Sequence, residues 1–140
     1  MWGFLHLFVE KLNMDFLLND QQIHDTWIKI ASSSEILKSS IPVPNDVAKM
    51  AEKAYDNRHN SDVNFGNSDM FEIARSLKNR SSIPLSLVLE IHKYTVKYRY
   101  RHSDSKKVAS YWEWQLYGGE AGRKWSESIV RAYIPKEVRN

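Results

Sequence analysis

The sequence predicts an all-α fold, a compact bundle of roughly five or six short helices with a C-terminal αα-hairpin around Gly118-Gly119. Three observations predict it. Apolar residues recur at helical spacing in one segment after another. Serine, proline and glycine clusters separate those segments at intervals that suit short helices. The chain has 140 residues and is 42% hydrophobic, enough to build one core.

The elements follow in order. Between Asp15 and Ile36, Leu17, Ile23, Trp27 and Ile30 mix apolar positions at helical spacing, with Asn19 or Asp20 able to start the helix. Serines at 32–34 and 39–40 punctuate it, and Pro42 and Pro44 make Ile41–Pro44 an extended connector. Residues 1–40 therefore read as an N-terminal arm and first helix, and residues 41–140 as the helical domain proper. Asn45 is a suitable N-cap with Asp46 in the first turn. Val47, Met50, Ala51 and Ala54 then mark one face of a helix running to about Asn57. Arg58–Asn67 is polar, contains Gly66 and reads as a loop. Asp69 caps a helix carrying Phe71, Ile73, Ala74 and Leu77, broken at Asn79–Ser82.

The next helix begins at Ser82-Ile-Pro-Leu, with Pro84 in its first turn, where a missing N–H costs nothing. Leu87, Ile91, Tyr94 and Tyr98 form its apolar stripe; Glu90, Lys93, Lys97 and Arg101 line another face. Tyr94–Tyr100 also alternates apolar and polar, as a strand would. Helix is preferred because the stripe continues the pattern set before Tyr94. His102–Ser105 breaks the chain, and Ser105 caps a helix with Val108, Tyr111, Trp112 and Leu116 on one face. Gly118-Gly119 ends it, since glycine tolerates the left-handed conformation of a helix C-terminus. Ala121, Trp125, Ile129 and Ala132 make the stripe of a last helix that Pro135 stops.

Composition excludes several classes. There is no cysteine, so disulfide scaffolds, thiolate metal sites and cysteine nucleophiles are ruled out; a reducing compartment fits this. No apolar run approaches the roughly 20 residues of a membrane span. The apolar start lacks the basic flank and cleavage site of a signal peptide. It reads either as a docking arm, with Trp2, Phe4, Leu5 and Phe8 as contacts, or as sequence upstream of a start at Met14. Met14-Asp-Phe-Leu-Leu also resembles short peptides that dock on sliding clamps, or is simply the apolar opening of the first helix.

Charge is uneven. Residues 1–90 carry 9 Lys/Arg and 12 Asp/Glu, whereas residues 91–140 carry 11 and 5. A basic C-terminal third suits an acidic partner such as nucleic acid or an acidic protein surface, or is a solvated helix face. Lys93, Lys97, Arg99 and Arg101 interleave with Tyr94, Tyr98 and Tyr100, the composition of a nucleic-acid surface. The alternative is tyrosines packed inward beneath solvated charges.

Residues 111–130, YWEWQLYGGEAGRKWSESIV, hold three of the five tryptophans and three of the five glycines. Packing explains most of this. Trp112 and Trp125 fill the hairpin core, Gly118 and Gly119 reverse the chain, and Gly122 permits close helix approach. Trp114, Tyr117, Arg123 and Lys124 fall off both stripes. They read either as exposed aromatics and cations that hold a phosphate or stack on a base, or as a surface where the cations pair with Glu120 and Glu127. Gly-Gly-Glu-Ala-Gly-Arg-Lys lacks the spacing of a phosphate-binding loop, and no strand precedes it.

The order Trp112-x-Trp114 … Gly118-Gly119-x-x-Gly122-Arg123-x-Trp125 resembles the end of a small helical domain of tailed-bacteriophage proteins, roughly W-L-L-W-G-G-D-A-G-R-x-W-A-E-x-I. Residues 41–58, 71–77 and 88–102 resemble its upstream helices, with Arg101-His102 on a closing Arg-His pair. The resemblance spans about residues 41–133. Ala54 stands where the pattern has glycine, and His59–Asn67 replaces most of a glycine-rich loop. Such domains occur alone or beside head-morphogenesis proteins, including prohead-protease-like ones. The resemblance implies a structural part in the virion or the host cytoplasm, with other phage proteins as partners.

No chemistry stands out beside it. His6, His24, His59, His92 and His102 form no HExxH or HxxxH pair, so no metal site is signalled. No serine lies in a nucleophile elbow, and no carboxylates form an acid/base pair. His102, after Arg101 at a helix end, suits a C-terminal cap or an acidic partner. The expectation is a non-enzymatic virion structural or head-assembly protein without cofactor, acting by docking. Its binding residues are Lys93, Lys97, Arg99, Arg101, His102, Arg123 and Lys124, and its structural motif is Trp112, Gly118, Gly119, Gly122 and Trp125. The alternative is a small nucleic-acid-binding or transcription-modulating phage protein using the same basic face.

Overall fold

A computed structural model describes residues 34–133. Within them a four-residue helix α1 (Ser34–Leu37) leads into β1 (Ser40–Pro42), then α2 (Asn45–Asp56) and α3 (Ser68–Asn79). A second strand β2 (Ser82–Pro84) follows, then α4 (Leu85–Tyr98), α5 (Ala109–Leu116) and α6 (Gly119–Tyr133). The architecture is a compact helical bundle, as the sequence predicts. α2 packs against α3 and α5, and α4 against α6.

The helix starts differ from expectation in instructive ways. α2 begins at Asn45 after an extended Pro44, so Asn45 is its first residue and not its cap; the Asp46 carboxylate accepts the Val47 N–H at 2.9 Å. Val47, Ala51 and Ala54 are buried as the periodicity requires. Asn67, not Asp69, caps α3, its Oδ1 accepting from Met70 N at 2.9 Å; Asp69 sits in the first turn, where a negative charge favours the helix dipole. Ser105 does not cap α5, which starts after an extended Val108; Ser105 Oγ instead accepts from Lys107 N inside the preceding turn.

The segment expected to open α4 is a strand. Ser82–Pro84 pairs antiparallel with Ser40–Pro42, Ile41 facing Ile83. The pairing is driven by burial: Ile41 and Ile83 both enter the core. Val43 N and Leu85 N bond to Ser81 O and Ser39 O across the pair. A two-stranded ribbon is all edge, so it tolerates a proline in each strand. β1 spans the boundary expected between residues 40 and 41, and Ile36 and Leu37 pack against the core.

Helix continues through Tyr94 to Tyr98, so the strand reading of this segment fails. The buried face of α4 is Leu85, Val88, Leu89, Ile91, His92 and Thr95, turned slightly from the predicted stripe; Leu87, Tyr94 and Tyr98 are half-buried. The loop at 58–67 is not wholly polar. Phe65 is buried, stacks on Trp112 at 5.5 Å between centroids and meets Phe71 edge-on. Gly66 N donates to Glu113 Oε2 at 2.8 Å, which ties the loop to α5.

Candidate docking interface

The α5–α6 corner accounts for the motif glycines. Gly118 and Gly119 have φ of +93° and +62°, in the region costly for other residues. Gly122 is needed for space. A Cβ there would lie 2.2 Å from the Tyr117 carbonyl oxygen, and Gly122 N donates to Gly118 O at 2.9 Å. Trp112 is buried with its Nε1 donating to Lys106 O at 2.8 Å, and Trp125 is half-buried against the core.

The structure corrects the residues assigned to an exposed remainder. Trp114 is 2% exposed and lies flat on His102, ring centroids 4.1 Å apart. Tyr117 is buried and stacks on Tyr94 at 3.8 Å. Burial pushes the Tyr117 phenol up to about 12, with Glu90 the next contributor, and burial also raises Tyr94. Neither phenol is an acid or base near neutrality. Arg123 is 7% exposed, so it is not a surface cation. Its Nε donates to Glu120 Oε1 at 2.8 Å and its Nη1 to Glu127 Oε2 at 3.2 Å. The hydrogen bond from Arg123 lowers the Glu120 carboxyl, and the same bond raises the guanidinium. Of the two readings of this cation, ion pairing holds, and only Lys124 remains exposed.

The helical stripe of α6 is displaced too. Gly119, Gly122, Arg123, Ser126 and Val130 are its buried positions, whereas Ala121, Trp125 and Ile129 are half-buried and Ala132 is exposed. Arg123 and Ser126 are polar, so hydropathy alone does not find this face. Ser126 Oγ satisfies itself by donating to Arg123 O at 3.1 Å.

The remaining predicted cations do gather on one segment. Lys97, Arg99 and Arg101 are exposed at the C-terminal end of α4 and just beyond it, and Lys93 is half-buried one turn earlier. His102 is half-buried and acts as a cap. Its Nδ1 lies 3.0 Å from Tyr98 O, and since a carbonyl only accepts, Nδ1 carries the proton. Arg101 N and His102 N donate to the same carbonyl, so the last carbonyl of α4 is satisfied by the turn that carries the cations. Sequence reasoning missed Lys106 and Lys107, exposed in the following connection. The signal lies eight and nine residues past the end of α4, beyond the polar break at His102–Ser105 that interrupts the basic run.

Residues 93–107 thus hold six Lys/Arg and one Asp/Glu. None of these six cations forms an ion pair among the described residues, whereas Arg75, Lys78, Arg123 and Arg131 each meet a carboxylate. Tyr100, in the middle of the segment, is 85% exposed, and the Arg99 guanidinium lies 5.1 Å from its ring centroid. Beside it, His92, Val96, Arg99, Tyr100, Arg123 and Glu127 line a half-open pocket of about 100 Å³ between α4 and α6.

Among the described residues no cluster of three or more His, Asp or Glu side chains can hold a metal ion, and no helix is long and apolar enough to cross a membrane. The arm residues Trp2, Phe4, Leu5 and Phe8, the Met14–Leu18 peptide and the helix expected from Asp15 lie outside the described residues, apart from that helix's end at Ser34–Ile36. No protein-family model, curated protein or solved structure matches the chain.

Proposed function

We propose that this chain is a non-enzymatic docking protein of the tailed-phage kind, a structural or head-assembly component of the virion. It engages other phage components, packaged nucleic acid included, through the basic segment Lys93–Lys107. One observation carries the docking role: residues 93–107 gather six Lys/Arg against one acidic residue, five of the six exposed and none in an ion pair among the described residues. Like charges kept together at a surface repel one another and are relieved by an anionic partner. The phage setting is supported by the resemblance of Trp112–Trp125, whose glycines and tryptophans make one tight corner here.

The test is particle composition. Mass spectrometry of purified particles from the phage that encodes this chain detects it in stoichiometric amount. Replacing Lys97, Arg99, Arg101, Lys106 and Lys107 by glutamine lowers its incorporation. Particles that lack the unaltered chain contradict the virion role.

A second reading, a nucleic-acid-binding protein acting during infection, is favoured by Arg99 and Tyr100. An exposed aromatic ring beside a guanidinium is of little use to a solvated surface, but it suits a base and its phosphate. This reading predicts a chain absent from particles that still binds nucleic acid.

A further inference from the structure

The basic segment carries a finer distinction, which rests on its being the docking surface. We propose that its ligand is single-stranded nucleic acid, with Tyr100 as a base-stacking platform and Arg99 as its phosphate clamp. Tyr100 is 85% exposed, and it sits among cations rather than over the core. Arg99 lies over the ring at 5.1 Å, while Lys97 and Arg101 flank it in the chain. A ring placed this way stacks on a base only if the base has a free face. Bases within a duplex are already stacked on their neighbours, so an isolated exposed tyrosine gains nothing from them; unstacked bases offer that face to any aromatic, whatever the sequence.

The surroundings agree with this choice. Duplex reading needs an element that enters a groove, usually a helix presenting side chains along its length. Here the exposed Arg99, Tyr100 and Arg101 stand where α4 gives way to a turn. The connection itself is held in shape. His102 stacks on Trp114, Ser103 N donates to Ser110 Oγ at 2.9 Å, and Trp112 holds Lys106 O. A loop fixed at both ends presents its cations without a large ordering cost on binding. The pocket at the foot of Tyr100 is about 100 Å³ and half-open, with Arg99 and Arg123 on its wall. Glu127 also lines it and Arg123 is already held by Glu120 and Glu127, so the recess suits the edge of a base, and the phosphate falls to Arg99.

The experiment is fluorescence anisotropy with labelled oligothymidine, oligouridine and a random-sequence duplex of equal length, at low and physiological salt. Either single strand should bind about tenfold more tightly than the duplex, one stacked base being worth about 1–3 kcal/mol. Tyr100→Ala should remove that advantage and leave duplex binding unchanged; Tyr100→Phe should keep it. Oligothymidine and oligouridine separate DNA from RNA as the natural source. Far-ultraviolet circular dichroism of the variants checks folding, which an exposed ring does not control. Equal binding of duplex and single strands, or an unchanged Tyr100→Ala, overturns this inference while leaving a polyanion-docking surface intact. The same holds if heparin competes as well against the single strand as against the duplex. Failure of all three nucleic acids to bind at low salt overturns it together with a nucleic-acid role for the segment.

Discussion

Lowering the pH from 7 to 4 is expected to remove about 3 kcal/mol of folding stability through His92 alone. His92 is 1% exposed on α4, and its pKa falls from 6.5 to about 4. Burial is the chief cause. Glu127 opposes it, while Arg123 and Arg131 push in the same direction as burial. The folded protein therefore keeps a neutral imidazole down to about pH 4, while the unfolded chain takes up its proton near 6.5. The unfolded state binds more protons across that window, so stability is full above 6.5 and declines as pH falls towards 4. The depressed Glu120 carboxyl also loses its contribution on acidification, but below its unfolded value of 4.5, so the two effects separate. Urea unfolding followed by tryptophan fluorescence at a series of pH values checks this. His92→Gln should flatten the profile between pH 6.5 and 4.5; an identical profile in that variant contradicts the assignment.

The second large effect is expected at Gly122. Gly122→Ala should destabilise the protein by about 3 kcal/mol or more and lower the melting temperature by roughly 10 °C. The added methyl would meet the Tyr117 carbonyl oxygen at 2.2 Å, and the obstacle is backbone. No side chain can move aside. Relief requires α6 to shift away from the corner, which disturbs Gly118, Val47 and the stack of Tyr117 on Tyr94. Lys124→Ala, two residues further on and exposed, is the control and should change stability by less than about 0.5 kcal/mol. Thermal unfolding of the two variants side by side decides it. A Gly122→Ala protein as stable as the parent would mean that the corner relaxes easily and the motif is not a packing device.

The fold was legible where hydropathy and spacing agree. Val47, Ala51 and Ala54 lie where the periodicity of α2 places them, and α4 runs through a tyrosine-rich stretch because its stripe continues unbroken. Legibility failed where burial is decided by something other than side-chain hydropathy. The inner face of α6 includes Gly122 and Arg123, one buried for lack of a side chain and the other because two carboxylates satisfy it. Phe65 enters the core from a segment whose composition is polar, by stacking on Trp112 across nearly fifty residues of sequence. The β1–β2 pair is only three residues on each side, too short to set a period, and each strand ends in a proline that reads as a helix boundary.

The candidate site divides along the same line. Lys97, Arg99 and Arg101 were visible as a basic run with tyrosines, and they are exposed. Arg123 and Trp114 share their chemistry but not their fate, because a long side chain on a helix points inward or outward according to neighbours that are distant in sequence. Tyr94, Tyr98 and Tyr100 were a single pattern in the sequence. In the fold the first stacks inward on Tyr117, the second packs beside it, and the third stands in solvent. Only a three-dimensional arrangement separates a packing tyrosine from a binding one.

The central claim is that the basic segment is a docking surface for an anionic partner. The most direct measurement is binding of the protein to a labelled random-sequence duplex over a salt series, beside the Lys97/Arg99/Arg101/Lys106/Lys107-to-glutamine variant. The account predicts micromolar-range binding whose logarithm falls steeply with the logarithm of salt, each phosphate contact contributing about 0.9 to the slope. Five engaged cations give a slope of about 4 to 5, and the variant loses both the affinity and the slope. Binding that ignores salt, or that survives in the variant, would contradict a docking role for Lys93–Lys107.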